Sequence, residues 1–311
     1  MRTPASSDIL SYCSFFISTF ANCLLIFLLI TEDRLLLGSY KKLMMIFAFA
    51  SISYTFSDFL YRPAAIANDG GYVVLSTGPL AFSPILGRHA GAYFCMNYGN
   101  TLIMIALHYI YRYFSVCRAK LVKLFDGYKI HIWLFPVVVL NILWYVGIFF
   151  LFDSIPDIDE YVGDEILDVY ETDISNVSHL AVLYFYEVDG ERVVNINGTI
   201  MLGFIVITQT ITLVVIVFCG HQTYRALKVR TVSSEVSKLQ RKLFKMLVVQ
   251  TGSPILLMYF SLSILTFPPL FGYHIGKYAI LISYCIGIYP ATEPIIILYF
   301  IGQFRQTIMG T

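Results

Sequence analysis

Tyr289-Pro290-Ala291-Thr292-Glu293-Pro294, followed by an apolar run from Ile295 to Ile301 and then by Arg305, sets a carboxylate between two prolines inside a segment otherwise fit to cross a bilayer. Charge in hydrocarbon costs about 2.5 to 3.5 kcal/mol even on a lenient insertion scale, so Glu293 has to face the interior of a helix bundle. Each proline removes a donor from the helix ladder and lets the helix bend where neighbours or water can serve the freed carbonyls. The stretch reads as a hinge beside a polar site. The rest of the chain has to supply the bundle around it.

Composition agrees. Of 311 residues 58% are hydrophobic and only 13% charged, with a mean hydropathy of +0.72, whereas soluble domains carry about 25% charged residues. An all-α integral membrane protein follows. A span needs about 20 apolar residues, and on that measure seven fit, at about 9–30, 43–66, 89–114, 130–152, 199–219, 246–267 and 278–301, in a single unit over 1–311. The first is too long for a signal-peptide core and lacks a small-residue cleavage site. The six cysteines fall in or beside apolar runs, so no disulfide framework is implied.

The inner ends and connections after spans one, three and five, with the C-terminal tail, hold 16 of the 21 lysines and arginines. The positive-inside rule then places the N-terminus outside. The long connection Asp153–Gly198, between spans four and five, holds twelve of the twenty acidic residues and one basic residue, Arg192. It would be extracellular. Alternating apolar residues from Val182 to Val188 and from Glu191 to Asn195 flank Asp189-Gly190, which predicts a β-hairpin. The sequons at Asn176 and Asn197 lie on the side where glycosylation is possible, the second close to the membrane.

At about 1.5 Å of rise per residue, Asn22, Ser51 and Glu293 all lie roughly 12 Å from the inner end of their spans. Side chains at one depth can meet, which predicts an inner polar layer, hinged by Pro254, Pro290 and Pro294; the alternative is that Asn22 and Ser51 bond only their own helices. Arg112, at the inner end of span three, is either a snorkelling anchor or a contact for a cytoplasmic partner. Asp58 and Arg62, four apart, most simply form an intrahelical ion pair or line the mouth of an outer cavity. The outer half of span three bears Tyr93, Asn97, Asn100 and Met104; Thr208 and Thr212, Tyr259 and Ser263, and Ser283 and Tyr284 can converge with them on a small-molecule cavity. Each of these residues taken singly is at least as readily an interhelical packing contact.

Catalytic patterns are missing from the sequence: no His-Glu-x-x-His, Gly-x-Ser-x-Gly, phosphate-binding glycine loop or His/Cys cluster at metal spacing. The expectation is a non-enzyme without cofactor or nucleic-acid partner, embedded in membrane lipid. No lysine lies within span seven, which excludes a retinal Schiff base there. A ligand-gated seven-span channel of reversed orientation conflicts with the basic-residue tally, and a transporter would show an internal repeat that is not visible.

The chain resembles the nematode seven-transmembrane chemoreceptors of the Str class, within the G-protein-coupled receptors. The matching stretches are Asn22 with its apolar run, Leu37-Gly38-Ser39-Tyr40-Lys41, Tyr111-Arg112-Tyr113-Phe114, Leu239-Gln240-Arg241-Lys242-Leu243-Phe244 continuing to Val249-Gln250-Thr251 and Pro254, and Tyr289 to Pro294 with Phe304-Arg305. The resemblance implies a receptor that binds a small odorant or soluble cue and activates a heterotrimeric G protein in the ciliary plasma membrane of sensory neurons. Arg112 would meet the G protein, with Tyr113, Arg241, Lys242, Lys245 and Arg305 on the same face. Glu293-Pro294 stands where most receptors carry Asn-Pro or Asp-Pro. The acidic connection has no cysteine to pair with Cys95, so hairpin and packing would have to hold that lid.

Overall fold

A segment in hydrocarbon must satisfy its backbone internally, and the apolar runs do so as helices. The computed structural model describes residues 5–31, 39–152, 158–188, 191–229 and 235–300. Spans one to four are α1 (Ala5–Thr31), α2 (Ser39–Tyr61), α3 (Pro84–Cys117) and α4 (His131–Leu151). A further helix, α5 (Ile158–Tyr170), precedes span five, α6 (Ile196–Val229). Span six is α7 (Glu235–Pro254), a π-helical turn at Ile255–Tyr259, and α8 (Phe260–Leu270). Span seven is α9 (Ile280–Phe300). Six of the seven are long and apolar enough to cross a membrane. The other, α3, sits among its neighbours with Leu102, His108 and Arg112 all buried, and helix neighbours tolerate polar groups that lipid would not.

Boundaries shift for local reasons. The second helix was expected to reach residue 66 but stops at Tyr61, because Arg62 takes a φ of 46° and Pro63 disfavours helical backbone at the residue before it. The fifth span runs past Cys219 to Val229. Between α3 and α4, Gly99 lies so close to the Trp144 ring that a Cβ there would come within 2.6 Å of it.

The prolines act as their positions imply. Pro294 cannot donate to the carbonyl of Pro290, and Ser18 of α1 does so instead, Oγ to O at 2.8 Å. Pro254 likewise frees the carbonyl of Gln250, which accepts from Ser253 Oγ at 3.0 Å. At these two breaks a serine hydroxyl serves the freed carbonyl, which helps keep a bent helix tolerable in the bilayer.

A lid covers the end of the bundle opposite the basic residues. Strands β1 (Pro63–Asn68) and β2 (Gly71–Ser76) form a hairpin, where the sequence suggested only a Gly/Pro-rich connection. Its turn is Asp69-Gly70, with Gly70 at φ 89°, a conformation glycine adopts without steric cost. Strand β3 (His179–Leu183) pairs antiparallel with β2. On the other edge, the amides of Ile275 and Gly276 donate to the carbonyl of Ala67. Because side chains alternate along a strand, the sheet has two apolar faces. Ala64, Ile66, Val73, Leu75, Ala181 and Leu183 pack on Val162, Ile166 and Tyr170 of α5, while Ala65, Tyr72, Leu180 and Val182 join the bundle core.

The hairpin expected from Val182 to Asn195 forms in part. Strands β4 (Phe185–Val188) and β5 (Glu191–Val194) pair as read, with the Asp189-Gly190 turn outside the described residues, but residues up to Leu183 belong to β3 instead. The break at Tyr184 follows from its amide bonding to the carbonyl of Gly70 and its side chain being buried. All six cysteines are free, so strand pairing and packing fasten the lid.

Candidate ligand-binding and signalling site

Under the sheet lies a partly enclosed cavity of about 70 Å³. Ala65, Tyr72, Val74 and Leu180 roof it; Phe94, Cys95 and Tyr98 of α3, Trp144 and Ile148 of α4 and Ile205 of α6 form one wall; Leu262, Leu265, Ile282, Ser283 and Ile286 form the other. The polar groups on these walls are largely turned away or committed. Tyr98 OH donates to the Met258 carbonyl at 2.8 Å, and Ser283 Oγ accepts from the Ala65 amide at 3.1 Å. An apolar cavity of about 150 Å³ accommodates benzene. This one fits something smaller, or fits more if its walls yield.

The residues expected to line an outer cavity go elsewhere. Tyr93 OH and Asn97 Oδ1 contact Ser53 Oγ on α2, at 2.6 and 2.7 Å. Asn141 of α4 donates to Asn100 at 2.9 Å, Met104 is buried in the core nearer the basic end, and Thr208 and Ser263 bond carbonyls of their own helices. Tyr259 OH meets Thr212 Oγ1 at 2.7 Å. Tyr284 is half-buried on α9. Of the wider set read from sequence, Ser283 is the member that reaches the cavity wall. The helical face of α3 that the cavity uses is the adjoining one, through Phe94, Cys95 and Tyr98. A polar stripe on a central helix found interhelical partners rather than the cavity, as small polar residues in bundles do.

The Asp58–Arg62 ion pair is replaced by another. Arg62 Nη1 donates to Asp8 Oδ1 on α1 at 2.7 Å. The left-handed backbone at Arg62 takes it out of the helical register that a pair four residues apart needs. Asp58 is buried, and its Oδ1 has no hydrogen-bond partner.

Toward the basic end, Glu293 is 1% exposed and accepts three hydrogen bonds. Ser51 Oγ donates to Oε2 at 3.1 Å, Tyr289 OH to the same oxygen at 3.0 Å, and Gln250 Nε2 of α7 to Oε1. Ser51 and Glu293 meet as their equal depth implied. Asn22 takes the alternative reading: its amide donates to the Ser18 carbonyl of its own helix at 2.9 Å. It joins the layer only through Ser18, whose hydroxyl also lies 2.7 Å from Thr55 Oγ1. Ser18 and Thr55 were not singled out from sequence, and Gln250 and Tyr289 stood in quoted stretches without being assigned to this layer. Gln250 carried a usable signal, a lone amide in an apolar stretch.

Arg112 is 1% exposed, so it is no snorkelling anchor. Its guanidinium lies 3.7 Å from the centre of the Tyr40 ring, and Nη1 donates to Gln240 Oε1 of α7 at 3.2 Å. Gln240 in turn donates to Ser115 Oγ, also at 3.2 Å. Nε and Nη2 have no hydrogen-bond partner. An aromatic face attracts a cation, which explains why the side chain folds inward. Tyr113 is half-buried against Phe218, and Arg241 Nη2 donates to the Leu227 carbonyl at 2.7 Å. Lys242 and Lys245 are exposed; Arg305 lies outside the described residues.

The family model for the serpentine type 7TM GPCR chemoreceptor Str matches residues 7–309. The chain belongs to the Str chemoreceptor family. It is similar to serpentine receptor class r-10 of Caenorhabditis elegans, 29% identical over 93% of this chain and 86% of that one. It is also similar to the G-protein coupled receptor str-33 of the same nematode, at 24% identity over 94% and 86%. In three dimensions it resembles squid rhodopsin with a TM-score of 0.67, covering 100% of this chain and 87% of that one at 14% identity. At that identity the likeness establishes the fold alone. A Str receptor is a chemosensory G-protein-coupled receptor in a membrane, and its family is one of receptors rather than enzymes. In this Str chain the two conspicuous polar centres, Glu293 and Arg112, both engage α7, through Gln250 and Gln240.

Proposed function

We propose that this receptor takes a compact, largely apolar odorant into the cavity beneath the sheet and relays its arrival to a heterotrimeric G protein at the basic end. The N-terminus and lid face outward and the basic ends face the cytosol, in the plasma membrane of a chemosensory cilium. The observation that carries the reading is the cavity itself: it touches α3, α4, α6, α8 and α9 together, so a molecule inside it can favour one packing of these helices over another. Only such differential affinity shifts a population. The bend points available are Pro254, Pro290 and Pro294. At the other end, Arg112 leaves Tyr40 and Gln240 and turns to the G protein, beside Tyr113, Arg241, Lys242, Lys245 and Arg305.

Filling the cavity tests this. Ile286→Phe adds volume to a wall residue; overpacking costs about 1 to 3 kcal/mol, so the receptor still reaches the surface. Its response to a compact apolar agonist, found by calcium imaging across a panel of volatile and water-soluble cues, should shift to at least tenfold higher concentration. An unshifted response would place the ligand elsewhere. Removal of a glycan from Asn176 by an enzyme added outside the cell checks the orientation; that asparagine is exposed in the lid.

A further inference from the structure

We infer that Tyr98 couples the cavity to span six by holding the π-helical turn at Met258. This rests on the cavity being the ligand site, and it adds a residue and a backbone device to that reading. The Tyr98 ring forms part of the cavity wall, while its hydroxyl leaves the cavity and donates to the Met258 carbonyl at 2.8 Å, in a fully buried bond. Met258 lies within the π turn Ile255–Tyr259, directly after Pro254.

A π turn carries one residue more than the α-helix that could replace it, and such turns recur at functional sites. Each residue of an α-helix advances it by about 100° at 3.6 residues per turn. Conversion between the two forms therefore rotates α7 against α8. Both sides of the turn are anchored. Beyond Met258, Tyr259 OH meets Thr212 Oγ1 of α6 at 2.7 Å. On the far side, Gln250 donates to Glu293. A turn pinned at Met258 holds α7 in the orientation that lets Gln240 reach Arg112 at 3.2 Å. A ligand that displaces the Tyr98 ring withdraws the hydroxyl from the carbonyl, and the turn is free to change form. Tyr98 is a positioning residue: it acts on the cytoplasmic end through the backbone of span six.

Tyr98→Phe keeps the ring in the wall and removes only the donor. A net contribution typical of one neutral hydrogen bond amounts to roughly a threefold to tenfold change in an equilibrium. In cells with signalling normalised to surface receptor number, Y98F should raise basal G-protein activation by about that factor. It should also shrink the ligand-induced increment, while agonist binding is retained and tightens by no more than the same factor. A merely structural loss would lower binding and surface number together and leave basal activity per receptor unchanged. Wild-type basal activity and a wild-type increment in Y98F overturn the inference, as does a fall in binding with no rise in basal activity. Basal activity needs no ligand, so this outcome stands apart from that of Ile286→Phe. If the Ile286→Phe response is unshifted, the cavity reading fails on its own.

Discussion

At the scale of single residues, two of the buried ionisable groups, Glu293 and Arg112, have specific sets of partners. Glu293 has three donors from α2, α7 and α9. Gln250→Leu withdraws one and leaves Oε1 short of a partner, which costs about 1 to 3 kcal/mol. The solubilised protein should melt several degrees lower in a thermal-shift assay, and Ser51→Ala should melt lower by less. Equal melting of Gln250→Leu and wild type would show that Gln250 does not serve the carboxylate. Arg112 is held by one ring and one amide, with Nε and Nη2 unbonded, a group stored rather than consumed by the fold. Arg112→Gln should abolish ligand-dependent signalling while surface expression persists; unchanged signalling would remove it from the relay. Depth along a helix made the Ser51–Glu293 contact legible in advance. Depth alone could not tell that Asn22 would turn to Ser18, because choice among partners at one level depends on helix rotation, which the sequence leaves open.

At the scale of elements, the spans were legible and the lid was not. Apolar length marks a helix in lipid with little competition, and it accounts for six of the seven helices, α3 being held by its buried contacts instead. The lid is small and amphipathic, and its signals were overshadowed. Asp69-Gly70 is the same turn chemistry that was recognised at Asp189-Gly190, but it lies in a stretch dominated by glycine and proline. The apolar stripe Val162, Ile166, Tyr170, spaced four apart, stands among so many acids that the segment looked like loop; its burial on the sheet explains why a helix forms there. Ile166 is 1% exposed. Ile166→Asp puts a charge into that contact and should detach α5, so that amides of α5 and of β1 to β3 exchange with deuterium markedly faster while those of α3 do not. Unaltered exchange in the lid would mean the sheet stands without its helix. The π turn after Pro254 was also beyond sequence reading, since a proline announces a bend but not the form the backbone takes around it.

At the scale of the whole molecule, the arrangement is a seven-helix receptor with an apolar chamber under a strand-built lid at one end and a sequestered arginine at the other. Span six joins them. It contacts the chamber through Leu262 and Leu265, the acid through Gln250 and the arginine through Gln240. Charge separates along the same axis, with most lysines and arginines gathered at the end away from the lid, as a membrane-oriented receptor requires. The purified receptor, reconstituted in nanodiscs with a heterotrimeric G protein, gives the most direct test: nucleotide exchange on the G protein with and without a compact apolar agonist. The account predicts acceleration by the agonist in the wild type and none in Arg112→Gln. Exchange indifferent to the agonist, or an ion current carried by the receptor alone in a planar bilayer, would contradict it.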